Sequence, residues 1–422
     1  MITASMKKIR AKYLVGFIQS GSRESQDALD FSNTDGLIPS IGGEHVNAEG
    51  GVEIPDNKFV SREYFLANPK SHIKQDDILL VKDGATIGKL GISKIPTELA
   101  ANEHVYIIRS KDSVNQKWLY YLLRSDQVQS DIKLAIRGSA QGGLSKDFLN
   151  LQVQNIEEER QQKIAKFLDQ KVARIDEAIA KKKKLITLLE EKRSTSITQA
   201  ITKGLDKRVK LKDSNISWLG KIPNHWETKK LKFIGKTIIG LTFDPTDIVS
   251  NENEGTALLR ANNISNGRIN RVDIVYVKTS VPDKLITKDG DILICSRSGS
   301  RDLIGKCAKI DSKTTGATFG VFMTVFRSKH NDYIYYVLNS NIFKFQTGRF
   351  LTSTINQLTQ ATLNGFEVPF PPKEEQKEIV EYLNEVTQTI EKAKSKIKES
   401  IELLEEYKTS LISNAVTGKV KI

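Results

Sequence analysis

Two long stretches of the chain place apolar residues in alternating steps of four and three. The first runs through Leu168, Val172, Ile175, Ile179, Lys182, Ile186, Leu189, Arg193, Ser196 and Ala200. The second runs through Leu383, Thr387, Ile390, Lys394, Ile397, Ile401, Leu404, Lys408, Leu411 and Ala415. That period is the one that sustains a coiled-coil seam, so the pattern predicts two long amphipathic helices. Each stripe has polar defects that partly offset one another. Where the first has Lys182 the second has Ile397, and where the second has Lys394 the first has Ile179. The helices are therefore expected to pack on each other through the apolar members of the two rows. They should run antiparallel, because the globular segments preceding them must reach opposite ends.

The stripes belong to a larger repeat. Gln161–Leu168 (QQKIAKFL), Leu188–Lys192 (LLEEK) and Ala200 recur as Gln376–Leu383 (QKEIVEYL), Leu403–Tyr407 (LLEEY) and Ala415, a shift of about 215 residues or half the chain. A period that long marks a duplicated domain-plus-helix unit, not a solenoid repeat. Upstream of each helix the pattern changes to short β-rich runs between Gly, Asn and Ser turns. Asp77-Ile-Leu-Leu-Val81 and His104-Val-Tyr-Ile-Ile108 are strands of the first copy, with a short helix over Asn115 to Leu123. The second copy has Asp291-Ile-Leu-Ile294, a strand over Val321 to Phe326 and a helix around Tyr333 to Ser340. Between the copies, Trp218-Leu-Gly-Lys-Ile-Pro-Asn-His-Trp226 reads as an ordered linker anchored by two tryptophans. The expected layout is 1–156 globular, 157–203 helical, 204–228 linker, 229–372 globular and 373–422 helical.

The globular copies diverge while the helices stay alike, which is what two readers of different targets would show. Charge sharpens this. The net charge is +13 and the pI about 9.3, favouring a polyanionic partner over an acidic small substrate. The second globular segment and the first helix hold most of the excess. With 39% hydrophobic and 27% charged residues the composition is that of a water-soluble globular protein, and no apolar run reaches membrane-spanning length. Met1 to Lys12 also lacks the apolar core of a signal peptide. Cys295 and Cys307 are too few for a disulfide framework and wrongly spaced for zinc, so they read as buried apolar residues in a reducing cytoplasm.

Catalytic chemistry finds no residues to carry it. Gly299-Ser-Arg-Asp-Leu-Ile-Gly305-Lys306-Cys307 resembles a phosphate loop, but it has five residues between the glycines and Cys where a hydroxyl must hold magnesium. The equivalent Gly84-Ala-Thr-Ile-Gly88-Lys89 has only three between them, so both are expected to be one structural loop. Glu190-Glu-Lys192 and Glu406-Tyr-Lys408 have a nuclease-like spacing but lie on helix surfaces, where salt-bridge roles suffice. The histidines form no i,i+4 pair and no Cys/His cluster, so no metal site is expected.

Four segments carry a family resemblance. Asp213-Ser-Asn-Ile-Ser-Trp218-Leu-Gly-Lys-Ile-Pro223-Asn-His-Trp226 is similar to the segment that opens target-recognition domains in specificity (S) subunits of type I restriction–modification enzymes. Gly290-Asp-Ile-Leu293 and Asp76-Asp-Ile-Leu-Leu-Val-Lys-Asp-Gly84-Ala-Thr-Ile-Gly88-Lys89 resemble that family's central strand and loop. Val368-Pro-Phe-Pro-Pro-Lys-Glu-Glu-Gln376 resembles the exit into its helices. The first copy departs from the pattern: it has no Trp-x-x-x-Ile-Pro-x-x-Trp opening, and its exit, Gln152 to Glu158, has no prolines.

The resemblance implies an α+β fold of two mixed α/β target-recognition domains, each followed by a long helix, the helices forming an antiparallel coiled-coil spacer with pseudo-twofold symmetry. It implies a non-catalytic reader of double-stranded DNA, each domain gripping half of a bipartite site and the helices setting the gap. Two modification (methyltransferase) and two restriction (translocase/nuclease) subunits would be the partners, with no membrane involved. S-adenosylmethionine, ATP and magnesium would belong to those partners, this chain binding no cofactor. A helix of about 33 residues rises roughly 50 Å at ~1.5 Å each, about one and a half turns of duplex.

The seam would be made by Leu168, Val172, Ile175, Ile179, Ile186 and Leu189 against Leu383, Ile390, Ile397, Ile401, Leu404 and Leu411. For DNA contact the candidates are loop residues able to reach phosphates and base edges. In the first domain these are Lys82, Lys89, Arg137, Ser139 and Gln141. In the second they are Arg260, Asn262, Arg297, Ser298, Arg301, Lys306, Arg349, Thr352 and Gln357. The competing reading is an adaptor whose coiled coil joins two protein-binding domains without DNA contact.

Overall fold

The computed structural model describes residues 8–25, 36–47, 49–137, 143–216, 218–350, 357–420 and 422, without the side chains of 137, 349 and 350. The chain divides into two units, one of residues 1–184 with 397–422 and the other of 185–396. Two helices dominate, Glu158–Lys203 and Lys373–Val416, and each gives one part to either unit. Both begin well before the periodic stripe, because Gln161 and Gln376 lie inside their first turns.

In the first unit, strands Val15–Ser20, Val105–Ser110, Ile78–Val81 and Leu90–Ile92 form a four-stranded antiparallel sheet in that order. A second small sheet orders Phe59–Val60, Ile38–Ile41, Leu99–Ala101 and His72–Ile73. The expected short helix is Gln116–Leu123, N-capped by the Asn115 side chain, which accepts from the Trp118 N–H. Its inner face joins the core with Ile78, Leu80, Ile108 and the long-helix residues Leu168, Val172, Ile175 and Ile179. The same core takes Leu411, Ile412 and Ala415 from the other helix, with Ile401 and Leu404 at its margin. Arg160 donates to the Gly418 carbonyl, while Asp176, further along, meets Lys408, so the two helices run antiparallel here.

The second unit repeats the plan. Lys236–Ile239, Met323–Arg327, Ile292–Cys295, Cys307–Lys309, Arg268–Ile269 and Ile264–Ser265 form a six-stranded sheet beside a four-stranded one. The strand expected over Val321–Phe326 starts only at Met323, because Gly320 turns the chain and leaves Val321 and Phe322 outside the ladder. The helix expected around Tyr333–Ser340 is Asn331–Leu338. Ile197, Ala200 and Ile201 of the first long helix share a core with Ile379 and Leu383 of the second. Ile390 is buried, and Ile186, Leu189 and Ile397 are half-buried.

The polar positions in the stripes are not simple defects. Lys394 is buried and pairs with Glu190 and Glu391, and Lys408 is buried with its ammonium 2.8 Å from Asp176. Burial opposes the Lys394 charge, but hydrogen bonds to Glu190 and Glu391 outweigh it and raise its pKa above the ordinary 10.5. A buried, paired charge in an apolar seam selects one register over its neighbours.

The repeat is written in hydrogen bonds as well. Asp77 accepts from Arg109 Nε and Nη2 (both 2.7 Å) and from the Lys74 N–H. Asp291 accepts in the same way from Arg327 Nε (2.9 Å) and Nη2 (2.6 Å) and from the Lys288 N–H. Thus the Asp of the repeated Asp-Ile-Leu is a buried strut. Gln161 accepts from the Asn115 N–H and donates to the Ile156 carbonyl; Gln376 meets His330 Nδ1 and donates to the Pro371 carbonyl. Tyr121 donates to Asp169 at 2.8 Å, and Tyr336 to Asn384 at 2.6 Å. These bonds lock each sheet domain to the helix that follows it. The linker is ordered as expected: Leu211–Asp213 and Lys221–Pro223 pair, and fully buried Trp226 donates to Glu375 at 2.8 Å.

Candidate nucleic-acid interface

In the second unit, strands Ile292–Cys295 and Met323–Arg327 are antiparallel neighbours, with Cys295 opposite Met323. Their ends therefore emerge side by side, as the Ser296–Gly299 turn and the Gly320–Phe322 turn. Backbone bonds weld the two turns, since the Ser296 and Arg297 N–H groups both donate to the Phe322 carbonyl at 3.0 Å. Ser296 Oγ donates to that carbonyl too, and the Leu358 N–H closes the third side on the Ser296 carbonyl at 2.7 Å. Arg297 and Gln357 form a β-bridge.

A third turn, Arg260–Asn263, completes the rim. Fully buried Asn263 shapes it, accepting from the Arg260 N–H and donating to the Asn270 and Val272 carbonyls. That fixed turn leaves Asn262 exposed. The three turns enclose a concavity of about 1060 Å³ lined by Arg260, Asn262, Arg297, Ser298 and Gln357. All five are candidates from the sequence, and the structure brings them together. Phe243, Val321 and Phe322 line it as well. Val321 and Phe322 were not among the candidates, since they open the apolar segment that runs to Phe326 and look like buried strand. Phe322 is 52% exposed and carries the Arg297 guanidinium over its ring, 5.1 Å from the centroid.

Arg301 and Lys306 fall elsewhere. With Arg193 of the long helix and Lys344 they line a separate cavity of about 550 Å³ that holds one carboxylate, Asp302. The Ser296–Lys306 loop thus has one end in an aromatic and amide-rich hollow and the other in a basic one. Gly305 ends it with φ +83, as Gly88 ends its counterpart with φ +88, both left-handed conformations suited to glycine. Cys307 is buried beside this cavity, its thiol accepting from Asn339 and pushed by burial up to about 12.

The first unit has the same backbone address with different groups on it. The Lys82 N–H donates to the His104 carbonyl at 2.9 Å, and the Leu144 N–H to the Lys82 carbonyl at 2.7 Å. These match the bonds of Ser296, Phe322 and Leu358. Asp83 then stands where Arg297 stands, and His104 where Phe322 stands. Asp83 pairs with both Lys82 and His104. Burial works against its charge, but those hydrogen bonds bring its pKa below the usual carboxylate value. Lys82 is half-buried, over the Tyr106 ring, and Lys89 is half-buried in the following turn. Ser139, Gln141 and Thr352, and the side chains of Arg137 and Arg349, lie outside the described residues. Among the described residues no cluster of metal-ligating side chains occurs, and no helix is long and apolar enough to cross a membrane.

Two welded turn clusters on a duplicated scaffold, each leading into a long helix, define a paired recognition protein. The family model for the type I restriction modification DNA specificity domain matches residues 16–188 and again 223–403, and the chain belongs to that family. The type I restriction enzyme MjaVIII specificity subunit of Methanocaldococcus jannaschii is 26% identical over 377 residues, 87% of this chain and 83% of that protein. The EcoKI specificity subunit of Escherichia coli K12 is 26% identical over 207 residues, 48% of this chain and 44% of that one. Among solved structures, a chain from work on assembly and conformational transition of the type I R-M system superposes with a TM-score of 0.74 at 15% identity over all of both chains. The HsdS subunit from Thermoanaerobacter tengcongensis gives 0.51 at 14% identity, covering 99% and 98%. The chain is thus a DNA-specificity subunit, the part of such an enzyme that does not carry the catalysis.

Proposed function

We propose that this subunit reads a bipartite duplex sequence, one half with each turn cluster, and that the hollow lined by Arg260, Asn262, Arg297, Ser298 and Gln357 reads the second half. The observation that carries this is the shared backbone ladder bearing Lys82, Asp83 and His104 in one copy and Ser296, Arg297 and Phe322 in the other. A scaffold kept while its tip chemistry changes is what discrimination between two half-sites requires. The two adjacent strand ends form a β-ribbon tip, an element that a major groove about 12 Å wide admits. Arg301, Lys306 and Lys344 are then suited to flanking phosphates. In the first half, Lys89 follows Gly88 as Lys306 follows Gly305 and has the corresponding position.

The repeat supports partners that come in pairs. In Leu-Leu-Glu-Glu, Leu189 and Leu404 turn inward while Leu188 and Leu403 are exposed. Outward leucines repeated at equivalent positions suit two copies of one protein, and we assign them to two modification subunits, with two restriction subunits completing the assembly. S-adenosylmethionine, ATP and magnesium would sit on those partners, in the cytoplasm where the DNA is.

Methylome sequencing of cells expressing this subunit with its modification partner tests the reading. A new two-part methylated motif is expected. No new motif, together with no salt-sensitive duplex binding by the complex, would leave the protein-adaptor reading in its place.

A further inference from the structure

We infer that Phe322 is a specificity determinant that recognises the C5-methyl group of a thymine next to a guanine gripped by Arg297. This rests on the reading that the second hollow contacts DNA. Phe322 is 52% exposed and Val321 beside it 40%, although both are large and apolar. They are held there by the bonds from Ser296 and Arg297 to the Phe322 carbonyl. An exposed ring fixed at a β-ribbon tip is a preformed apolar contact. In the major groove the only apolar group a base pair offers is the thymine methyl.

The Arg297 guanidinium lies over one face of the ring, 5.1 Å from its centroid. Among the described residues no group accepts from its fork of donors, which can meet guanine O6 and N7. One face of the ring is thus occupied by a cation, so an extruded base has no pair of faces between which to stack. What remains is the ring edge and the neighbouring Val321 side chain, a contact the size of a methyl group. Arginine and ring touch each other, so the pairs they read must be adjacent.

The first unit supplies the contrast. His104 and Asp83 occupy the equivalent positions and pair with each other, presenting polar groups where Phe322 presents an apolar ring. Methyl recognition is therefore confined to one half-site.

The test uses the subunit assembled with its modification partner. The methylome of Arg297→Ala first identifies the half-site that loses stringency. Duplexes are then compared in which single thymines are replaced by uracil, which removes only the methyl. For the wild-type complex, one substitution next to the relaxed guanine should weaken binding about four-fold, the weight of one buried carbon. Phe322→Ala should bind the thymine and uracil duplexes alike, and Phe322→Leu should keep part of the difference. Thymines in the other half should show no dependence on Phe322. The inference is overturned if the relaxed half-site has no thymine beside its guanine, if uracil binds as well as thymine, or if Phe322→Ala still tells them apart. Sequence-specific binding retained through those results would overturn this inference alone. A complex without specific binding would overturn the DNA reading and this with it.

Discussion

Asp291→Asn isolates the strut behind the second turn cluster. The Asp291 side chain is 2% exposed and accepts three hydrogen bonds, two from Arg327 and one from the Lys288 N–H. Asparagine keeps the shape but removes the charge, leaving the Arg327 guanidinium without its counter-ion. Breaking a buried pair from one side costs about 3–5 kcal/mol. Arg327 retains 25% exposure, so water recovers part of the loss and the low end, about 3 kcal/mol, is expected. For a unit of about 200 residues that lowers the melting temperature by roughly 6–12 °C. Scanning calorimetry reads the shift, and hydrogen exchange should place it in the Ile292–Cys295 and Met323–Arg327 strands. Adding Arg327→Met should restore at least half, since the damage lies in the stranded cation and not in the lost pair. Asp77→Asn should behave likewise through Arg109, with protection lost in Ile78–Val81 instead. A loss under about 1 kcal/mol, or a double variant no better than the single, would refute the argument.

The interface separates its roles by assay. Arg297→Ala should relax one base-pair position of the methylated motif by about 1–3 kcal/mol. Lys306→Ala should weaken binding to all sequences and reduce the salt slope by about one. Leu188→Asp and Leu403→Asp should each remove one copy of the modification subunit, read as a mass step by light scattering, with the fold intact by circular dichroism. Because the Lys394 pKa is raised on folding, its pair with Glu190 is fully present below pH 10.5 and lost as pH climbs past the raised value. Lys394→Met should therefore flatten the alkaline arm of the stability curve, measured by urea unfolding. Burial raises the pKa of both thiols, that of Cys307 to about 12, so neither should react with iodoacetamide at pH 8 until the chain unfolds.

The duplication, the strands around Asp-Ile-Leu and the two helices were legible because each rests on local periodicity or on a repeated word. Five candidates of the second copy meet in one hollow because turn residues at strand ends are dictated by local chemistry. Phe322 was not legible, since only the turn at Gly320 separates it from the buried strand it adjoins. Lys394 and Lys408 looked like breaks in a stripe; their partners Glu190 and Asp176 lie on the other helix, far away in sequence. Arg301 and Lys306 looked like neighbours of Arg297, but the turn of the loop sends them to a different cavity. The repeated Asp announced a motif without announcing that its role is to hold an arginine.

One detail of the sheets bears on how such proteins acquire new targets. In the first unit Lys8–Arg10 pairs with Gln152–Gln154, and in the second Glu227–Lys230 pairs with Glu367–Phe370. Each reader therefore enters and leaves through one doorway, its two ends hydrogen-bonded across a single ladder. A segment whose ends meet can be exchanged for another of different length without altering the distance the rest of the chain must bridge. Genetic recombination falling in those paired strands would replace a whole reader as a cassette, while the helix residues that receive it, Gln161 and Asp169 for one and Gln376 and Asn384 for the other, stay where they are.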